Sequence, residues 1–366
     1  MVLDEIKTMR ILHVITSLQT GGAEHLLVDL LPRLRASGRN SVELLVFNGR
    51  QTPFMEVLQE KGIKIHKLSL GGCVYNPLNI FRMTRYIVQY DIIHTHNTAC
   101  QLFAPWAKMF SFARKPLVTT EHSSNNRRRG KWWLHPLDRW MYNRYAAVVC
   151  IADKPRRNLE EHIGKKRNIM TIPNGVDTER FIRPVKDITG QTEFVITMVA
   201  GLRVEKDHET VLRAIKRLPA NYRLQLVGGG VKEESLRQMC AELGITERVD
   251  FMGVRLDVPD ILEQSDIVLL SSHWEGLSLS SIEGMASGRP FIASDVDGLR
   301  EMVGGAGVLF KHGDDEELAS KIVHLCEHPD EYREVAQRCQ EKARQYDISV
   351  TVNRYLDLYK RLCHIK

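Results

Sequence analysis

Short apolar runs recur along the chain, each leading through a polar turn into a stretch with helical spacing. Residues 11–15 (ILHVI), 42–47 (VELLVF), 64–68, 91–95 (DIIHT), 116–121 (PLVTTE) and 147–151 (AVVCI) read as strands of one sheet, with 147–151 closing it. Residues 193–199 (EFVITMV), 222–227 (YRLQLV), 249–253, 266–270 (DIVLL), 290–293 and 308–310 read as strands of a second sheet. Runs apolar on both faces suit parallel strands covered by helices. Helical periodicity falls at 26–34, 54–61, 77–89, a Lys/Arg-rich stretch ending near Gly164, 209–218, 233–243, 256–264 and most of the chain beyond Asp315. Strand–turn–helix alternation of this kind predicts an α/β chain of two doubly wound halves. Between them, residues 172–177 (IPNGVD) carry turn chemistry and read as a linker anchored by Phe181, with Asn174 and Asp177 structural.

Totals alter this picture in three places. At 366 residues there is material for two full cores, and 43% hydrophobic with 26% charged residues excludes a disordered chain. No apolar run reaches the ~18 residues of a membrane span, and the N-terminus lacks the apolar core of a secretory signal. Seven scattered cysteines without a CxxC pair predict a reduced, cytoplasmic protein. The charge is lopsided. Residues 1–172 hold 26 Lys+Arg against 13 Asp+Glu, whereas residues 173–366 hold 25 against 32. A basic first half without a nucleic-acid-binding pattern predicts an anionic membrane or phosphorylated acceptor as partner, and no nucleic acid.

The densest chemistry follows the 266–270 strand. Residues 275–290 read EGLSLSSIEGMASGRP. Ser278 to Ser281 can open a helix whose unpaired N–H groups point back at the turn, and Ile282, Met285 and Ala286 supply its apolar face. A helix N-terminus beyond the carboxyl end of a parallel strand suits phosphate. Glu275 stands in the turn and Glu283 roughly two helical turns on, so the carboxylates can face different parts of one ligand, such as a sugar nucleotide. Arg203 and Lys206 lie in the turn after the 193–199 strand, where two cations make sense against several negative charges. Gly21 and Gly22 follow the first strand and let backbone approach a ligand closely, or form a plain tight turn. His94 and His96 alternate on one strand, and with no third ligand nearby in sequence no metal is expected. Gly228–Gly230 is not GxGxxG, which disfavours hydride transfer.

Two glutamates with seven residues between them in the context EGLSLSSIEGMASG, with GGAE near the N-terminus and SDVDG downstream, resemble the family 4 retaining glycosyltransferases of the GT-B fold. That resemblance implies two Rossmann-like domains facing across a cleft. Residues 1–172 would bind the acceptor, with a helix at about 348–366 crossing back to them, and residues 173–347 would bind the nucleotide-sugar donor. It implies transfer of a sugar from a UDP- or GDP-sugar to a hydroxyl of a glycan or lipid-linked acceptor, without metal or other cofactor. Catalytic roles fall by resemblance on Glu275, His122, Lys206 and Arg203. Donor-binding roles fall on Glu283 (ribose), Gly21 and Gly22, the N–H groups near Leu277 and Ser278, and the backbone near Val254 (base). One departure from the pattern is that Gly201 stands where the family has arginine, with Arg203 displaced by two.

Arg127, Arg128, Arg129 and Lys131 adjoin Trp132 and Trp133, a combination suited to an anionic membrane surface and hence to peripheral association through the basic domain. The alternative is a helix with Trp133, Leu137, Trp140 and Met141 packed inward. Rival functions are a GT-B sugar-nucleotide epimerase, which would release an isomerised sugar, and a non-catalytic nucleotide-sugar-binding subunit. The joint presence of Glu275, Glu283, Lys206 and His122 argues for transfer.

Overall fold

Two parallel sheets carry the fold, each built around a reversal in strand order. The computed structural model describes residues 8–19, 21–37, 40–122, 131–165 and 168–363. Two compact units divide the chain, residues 1–175 with 348–366, and residues 176–347.

The first unit holds strands β1 (Arg10–Ile15), β2 (Ser41–Asn48), β3 (Lys64–Ser69), β4 (Ile92–His96), β5 (Leu117–Glu121), β6 (Ala147–Cys150) and β7 (Ile169–Thr171). Their order is β3-β2-β1-β4-β5-β6-β7 and every pairing is parallel. The reversal lies between β1 and β4, where His13 pairs with His94. Residues 147–151 therefore do not close the sheet. The three-residue β7 does, too short to show an apolar period. The helices are α1 (Gly22–Ala36), α2 (Pro53–Glu60), α3 (Leu78–Ile87), α4 (Thr98–Phe110), α5 (His135–Tyr142) and α6 (Asp153–Ile163). α1 begins earlier than its apolar period, at Gly22 itself. α4 fills a stretch for which the pattern predicts nothing. It encloses Pro105, which removes one helical hydrogen bond, but buries Ala99, Cys100, Phe103, Ala104 and Ala107.

The second unit holds β8 (Phe194–Val199), β9 (Tyr222–Val227), β10 (Val249–Gly253), β11 (Ile267–Leu270), β12 (Phe291–Ser294) and β13 (Val308–Phe310), in the order β10-β9-β8-β11-β12-β13. Here the reversal lies between β8 and β11. Around this sheet pack α7 (His208–Arg217), α8 (Glu233–Leu243), α9 (Val258–Gln264), α10 (Leu279–Ala286), α11 (Leu299–Val303), α12 (Asp315–Glu327) and α13 (Pro329–Arg344). α7 starts where the Asp207 side chain accepts from the Thr210 N–H at 3.4 Å, and its buried face is Val211, Leu212, Ala214 and Ile215. α10 presses Ile282, Met285 and Ala286, all fully buried, into the same core as Phe291, at about 1.5–3 kcal/mol per large apolar side chain.

The last helix, α14 (Ile348–Leu362), belongs to the first unit. It packs on α1 and buries Val352, Tyr355, Leu356 and Tyr359 against the face of the sheet that carries His94.

Candidate active site

In an open parallel sheet, ligands bind beyond the carboxyl ends of the strands where the order reverses. In the second unit that point is reached by the loops after β8 and β11. These loops are laced together. The His273 N–H donates to the Glu205 carbonyl at 2.9 Å, and Ser271 Oγ donates to Asp207 Oδ2 at 3.2 Å. Across the same seam the Lys206 ammonium pairs with Glu275 Oε1, which also accepts from Ser272 Oγ at 2.9 Å. Lys206 and Glu275 are 20% and 11% exposed, so the pair is mostly out of water yet open on one side.

Asp207 holds this turn with a left-handed backbone, φ 45°, which an aspartate tolerates better than most side chains. Beside it, His273 and His312 are hydrogen-bonded at 2.6 Å, with His312 3.9 Å from Asp207. Gly298, in the SDVDG turn, explains why glycine is needed there. Its φ is 87°, and a Cβ would sit 2.5 Å from the Gly276 carbonyl oxygen and 2.6 Å from that of Glu275. The SDVDG turn therefore backs directly onto the Glu275 turn.

Ser278 is the N-cap of α10, its Oγ accepting from the Ser281 N–H at 3.3 Å. Leu277 is half-buried just before it, and Glu283 is buried on α10 at 4% exposure. Arg203 is exposed and 4.0 Å from Glu205. Its side chain lies along Gly201, where a Cβ would stand 3.5 Å from the guanidinium Nε. Val254 is 65% exposed after the edge strand β10, beside Gly229. The structure brings Lys206, Glu275, Leu277 and Ser278 together on adjoining loops, while Val254 stands on a separate one.

In the first unit, Gly21 precedes α1 and Gly22 opens it. The Glu24 carboxylate folds back over Gly21 and accepts from Asn97 Nδ2 at 3.4 Å, and Asn97 also donates to Thr16 Oγ1 at 3.0 Å. Burial raises the Glu24 carboxyl above its usual range, against the opposing pull of its hydrogen bonds. Asn97 itself has a left-handed φ of 70°. His122 follows β5 and is partly exposed. Its Nε2 is 2.9 Å from His96 Nδ1, and His96 Nε2 is 3.0 Å from His13 Nδ1. Burial pushes His13 down to about 3 and His122 to about 4, and holds His94 and His96 well below the ordinary histidine value.

Sequence reasoning missed His13, Glu24 and Asn97. His13 is the third imidazole beside His94 and His96, so the pair on β4 does have a companion in space. All six ring nitrogens of the three are, however, engaged in hydrogen bonds within the protein. The signal was a histidine inside an otherwise apolar strand. Trp133 does not pack inward as the helical alternative required. It is 60% exposed because the helix starts only at His135, and Trp132 is 85% exposed. Arg127, Arg128 and Arg129 lie outside the described residues.

Comparison with known proteins identifies the family and the fold. Residues 20–180 match the model of Glycosyltransferase Family 4, and residues 193–328 match that of Glycosyl transferases group 1. The chain belongs to the family 4 glycosyltransferases and has their GT-B fold. It is 27% identical over 313 residues to the putative glycosyltransferase EpsD of Bacillus subtilis, covering 78% of this chain and 81% of the relative. It is 26% identical to the UDP-Gal:alpha-D-GlcNAc-diphosphoundecaprenol alpha-1,3-galactosyltransferase of Escherichia coli, covering 74% and 75%. Anabaena Alr3699/HepE, solved in complex with UDP-glucose, superposes with a TM-score of 0.83 at 21% identity, covering 96% of this chain and all of that one.

Proposed function

We propose that this glycosyltransferase takes its sugar from a uridine diphosphate sugar and passes it, with retention and without a metal, to a hydroxyl on a lipid-linked glycan. The observation that carries the reading is the Lys206–Glu275 pair, set where the loops after β8 and β11 part at the strand-order reversal. The galactosyltransferase relative named above acts on a UDP-sugar and a diphosphoundecaprenol acceptor, and HepE holds UDP-glucose, which supports the same classes of donor and acceptor here.

Charge builds on the departing diphosphate during transfer. Lys206, Arg203 and the N–H groups near Leu277 and Ser278 would stabilise it by preorganised electrostatics. Glu275 would hold donor-sugar hydroxyls, Glu283 the ribose diol, and the backbone at Val254 the base. In the first unit, His122 and the Gly21–Gly22 loop would contact substrate oxygens. Residues 1–172 with the last helix are read as the acceptor domain, and residues 173–347 as the donor domain. UDP release from a panel of UDP- and GDP-sugars, with a diphosphate-linked lipid acceptor, tests the proposal. Turnover with GDP-sugars alone would reverse the donor assignment, and release of a free isomerised sugar would favour an epimerase.

A second observation favours peripheral membrane contact. Leu78 and Phe81 on α3, with Met109, Phe110 and Phe112 at the end of α4, are exposed, and Phe81 and Phe110 stack at 5.4 Å. Phe112 is 92% exposed and shares a shallow cavity with Lys108 and Arg144. Exposed rings beside cations, with Trp132 and Trp133 also exposed, suit an anionic headgroup layer. Among the described residues no helix is long and apolar enough to cross a membrane.

A further inference from the structure

Three loops of the second unit meet at a cluster of side chains to which sugar transfer gives no role. Asp207 stands after β8, His273 after β11 and His312 after β13. His273 Nδ1 is 2.6 Å from His312 Nε2, and His312 Nε2 is 3.9 Å from Asp207 Oδ2. One ligand atom from each of the three lies within 4.8 Å of the other two. We infer that these residues form a site for one divalent transition-metal ion of the zinc class, held by the Asp207 carboxylate, His273 Nδ1 and His312 Nε2. Such an ion staples the three loops together, two of which also carry Lys206 and Glu275. No step of transfer passes through it.

Zinc bonds of about 2.0–2.2 Å to nitrogen and oxygen put neighbouring ligand atoms roughly 3–3.4 Å apart. The distances of 2.6 and 3.9 Å fall on either side, so shifts of under about 1 Å seat the ion. The two imidazoles stand edge-on, 82° between their planes, and approach nitrogen to nitrogen. Charge points the same way. Asp207 is 3% exposed, and a buried carboxylate is ordinarily paired with a cation or bound to a metal. Among the described residues the one group within salt-bridge distance of it is His312, cationic only when protonated. A divalent ion neutralises the carboxylate while both rings stay neutral. The carboxylate is also oriented as a ligand should be. Oδ2 accepts from Ser271 Oγ at 3.2 Å and Oδ1 from the Thr210 N–H at 3.4 Å, which leaves lone pairs on both oxygens. His312 projects from a turn closed by the Asp314 N–H on the Lys311 carbonyl at 3.0 Å, with Gly313 at φ 77°. Two imidazoles and one carboxylate suit zinc, cobalt or nickel, whereas magnesium takes oxygen ligands. The His312 side chain is 41% exposed, which gives the ion a way in and leaves a place for water to complete a tetrahedron.

The tag-free full chain, stripped with a chelator, tests this with Zn²⁺ by calorimetry and Co²⁺ by visible absorption. Expected are one equivalent of Zn²⁺, the strong visible bands of tetrahedral Co²⁺, and a melting temperature raised by saturating Zn²⁺. Excess Mg²⁺ should not displace the Co²⁺. His273→Ala and His312→Ala should each weaken Zn²⁺ binding by more than about a hundredfold, beyond the 10–100-fold of a lost outer partner, and remove the melting shift. His312 is exposed enough to be replaced without opening the core. His324→Ala is the control, an exposed histidine stacked on His328, and should bind Zn²⁺ as wild type does. Absence of binding in the wild type would leave a protonated His312 as the counter-ion of Asp207 and overturn the proposal. One equivalent bound equally well by both alanine variants, or lost in His324→Ala, would place the ion elsewhere and overturn it too. These readouts need no sugar nucleotide, so their failure leaves the transfer reading intact, and a failure of transfer leaves the metal site standing.

Discussion

Lowering the pH from 7.5 to 5.5 should remove a large part of the protein's stability. Four histidines with no more than 1% exposure carry folded values far below the ordinary 6.5, namely His13, His94, His96 and His208. Burial is the chief cause in each, and for His208 it outweighs the attraction of Glu209 and Asp207. In the unfolded chain these rings take protons as the pH drops through 6.5, but in the folded state they cannot. The unfolded state therefore binds more protons, and stability present above 6.5 is lost as the pH falls. At pH 5.5 each ring contributes a loss of about 1.4 kcal/mol, so the four together remove about 5–6 kcal/mol. That is comparable with the whole stability of many domains, roughly 5–15 kcal/mol. Carboxylates held low by partners, such as Glu43 and Asp315, act only at lower pH and do not oppose it in this window. Urea unfolding at pH 7.5, 6.5 and 5.5 with a constant m-value is the assay. Expected is a falling midpoint with a slope approaching four protons. A midpoint that moves by less than one proton's worth would refute the reasoning.

His208→Leu should flatten that slope by about one proton and raise the midpoint at pH 5.5, since neither ring nitrogen of His208 has a partner among the described residues. Lys206→Met should lower kcat by about 10²–10³-fold at saturating donor with an unchanged melting temperature, measured by UDP release; kcat within threefold of wild type would remove Lys206 from the reaction. Glu283→Ala should weaken UDP binding by calorimetry about tenfold or more, the scale of a lost charged hydrogen bond. Gly298→Ala forces a Cβ into the Glu275 and Gly276 carbonyls and should cost about 1–3 kcal/mol and most of the activity, seen by melting and by turnover together. Phe112→Glu should reduce flotation with anionic vesicles and leave soluble-acceptor turnover intact; equal flotation of both proteins would exclude that surface.

Most of the architecture could be read from the pattern of apolar runs, because strands buried on both faces leave little else for a sequence such as DIVLL to be. The failures have physical causes. β7 is three residues long, below the length at which a period shows. α4 is apolar over much of its circumference and contains Pro105, so neither amphipathicity nor propensity marked it. In the second unit, the turn-plus-helix chemistry of residues 275–283 could be read because a serine cap and an apolar helix face follow a buried strand directly. His13 could not, because its partners lie 81 and 83 residues away and meet it only through the β1–β4 pairing. The covering of Gly201 by Arg203 depends on a side-chain path that no spacing encodes.

α14 has a consequence for how the protein is made. The hydroxyls that meet His94 and Thr120 arrive on Tyr359 and Tyr355, 265 and 235 residues later in the chain respectively. During translation the second unit can emerge and fold while the first still has a bare seam of imidazoles facing water. The earliest strands of the chain thus reach their final packing only after a helix translated later than the whole second unit, so a chain cut at residue 347 should keep a folded second unit and leave the first sensitive to protease.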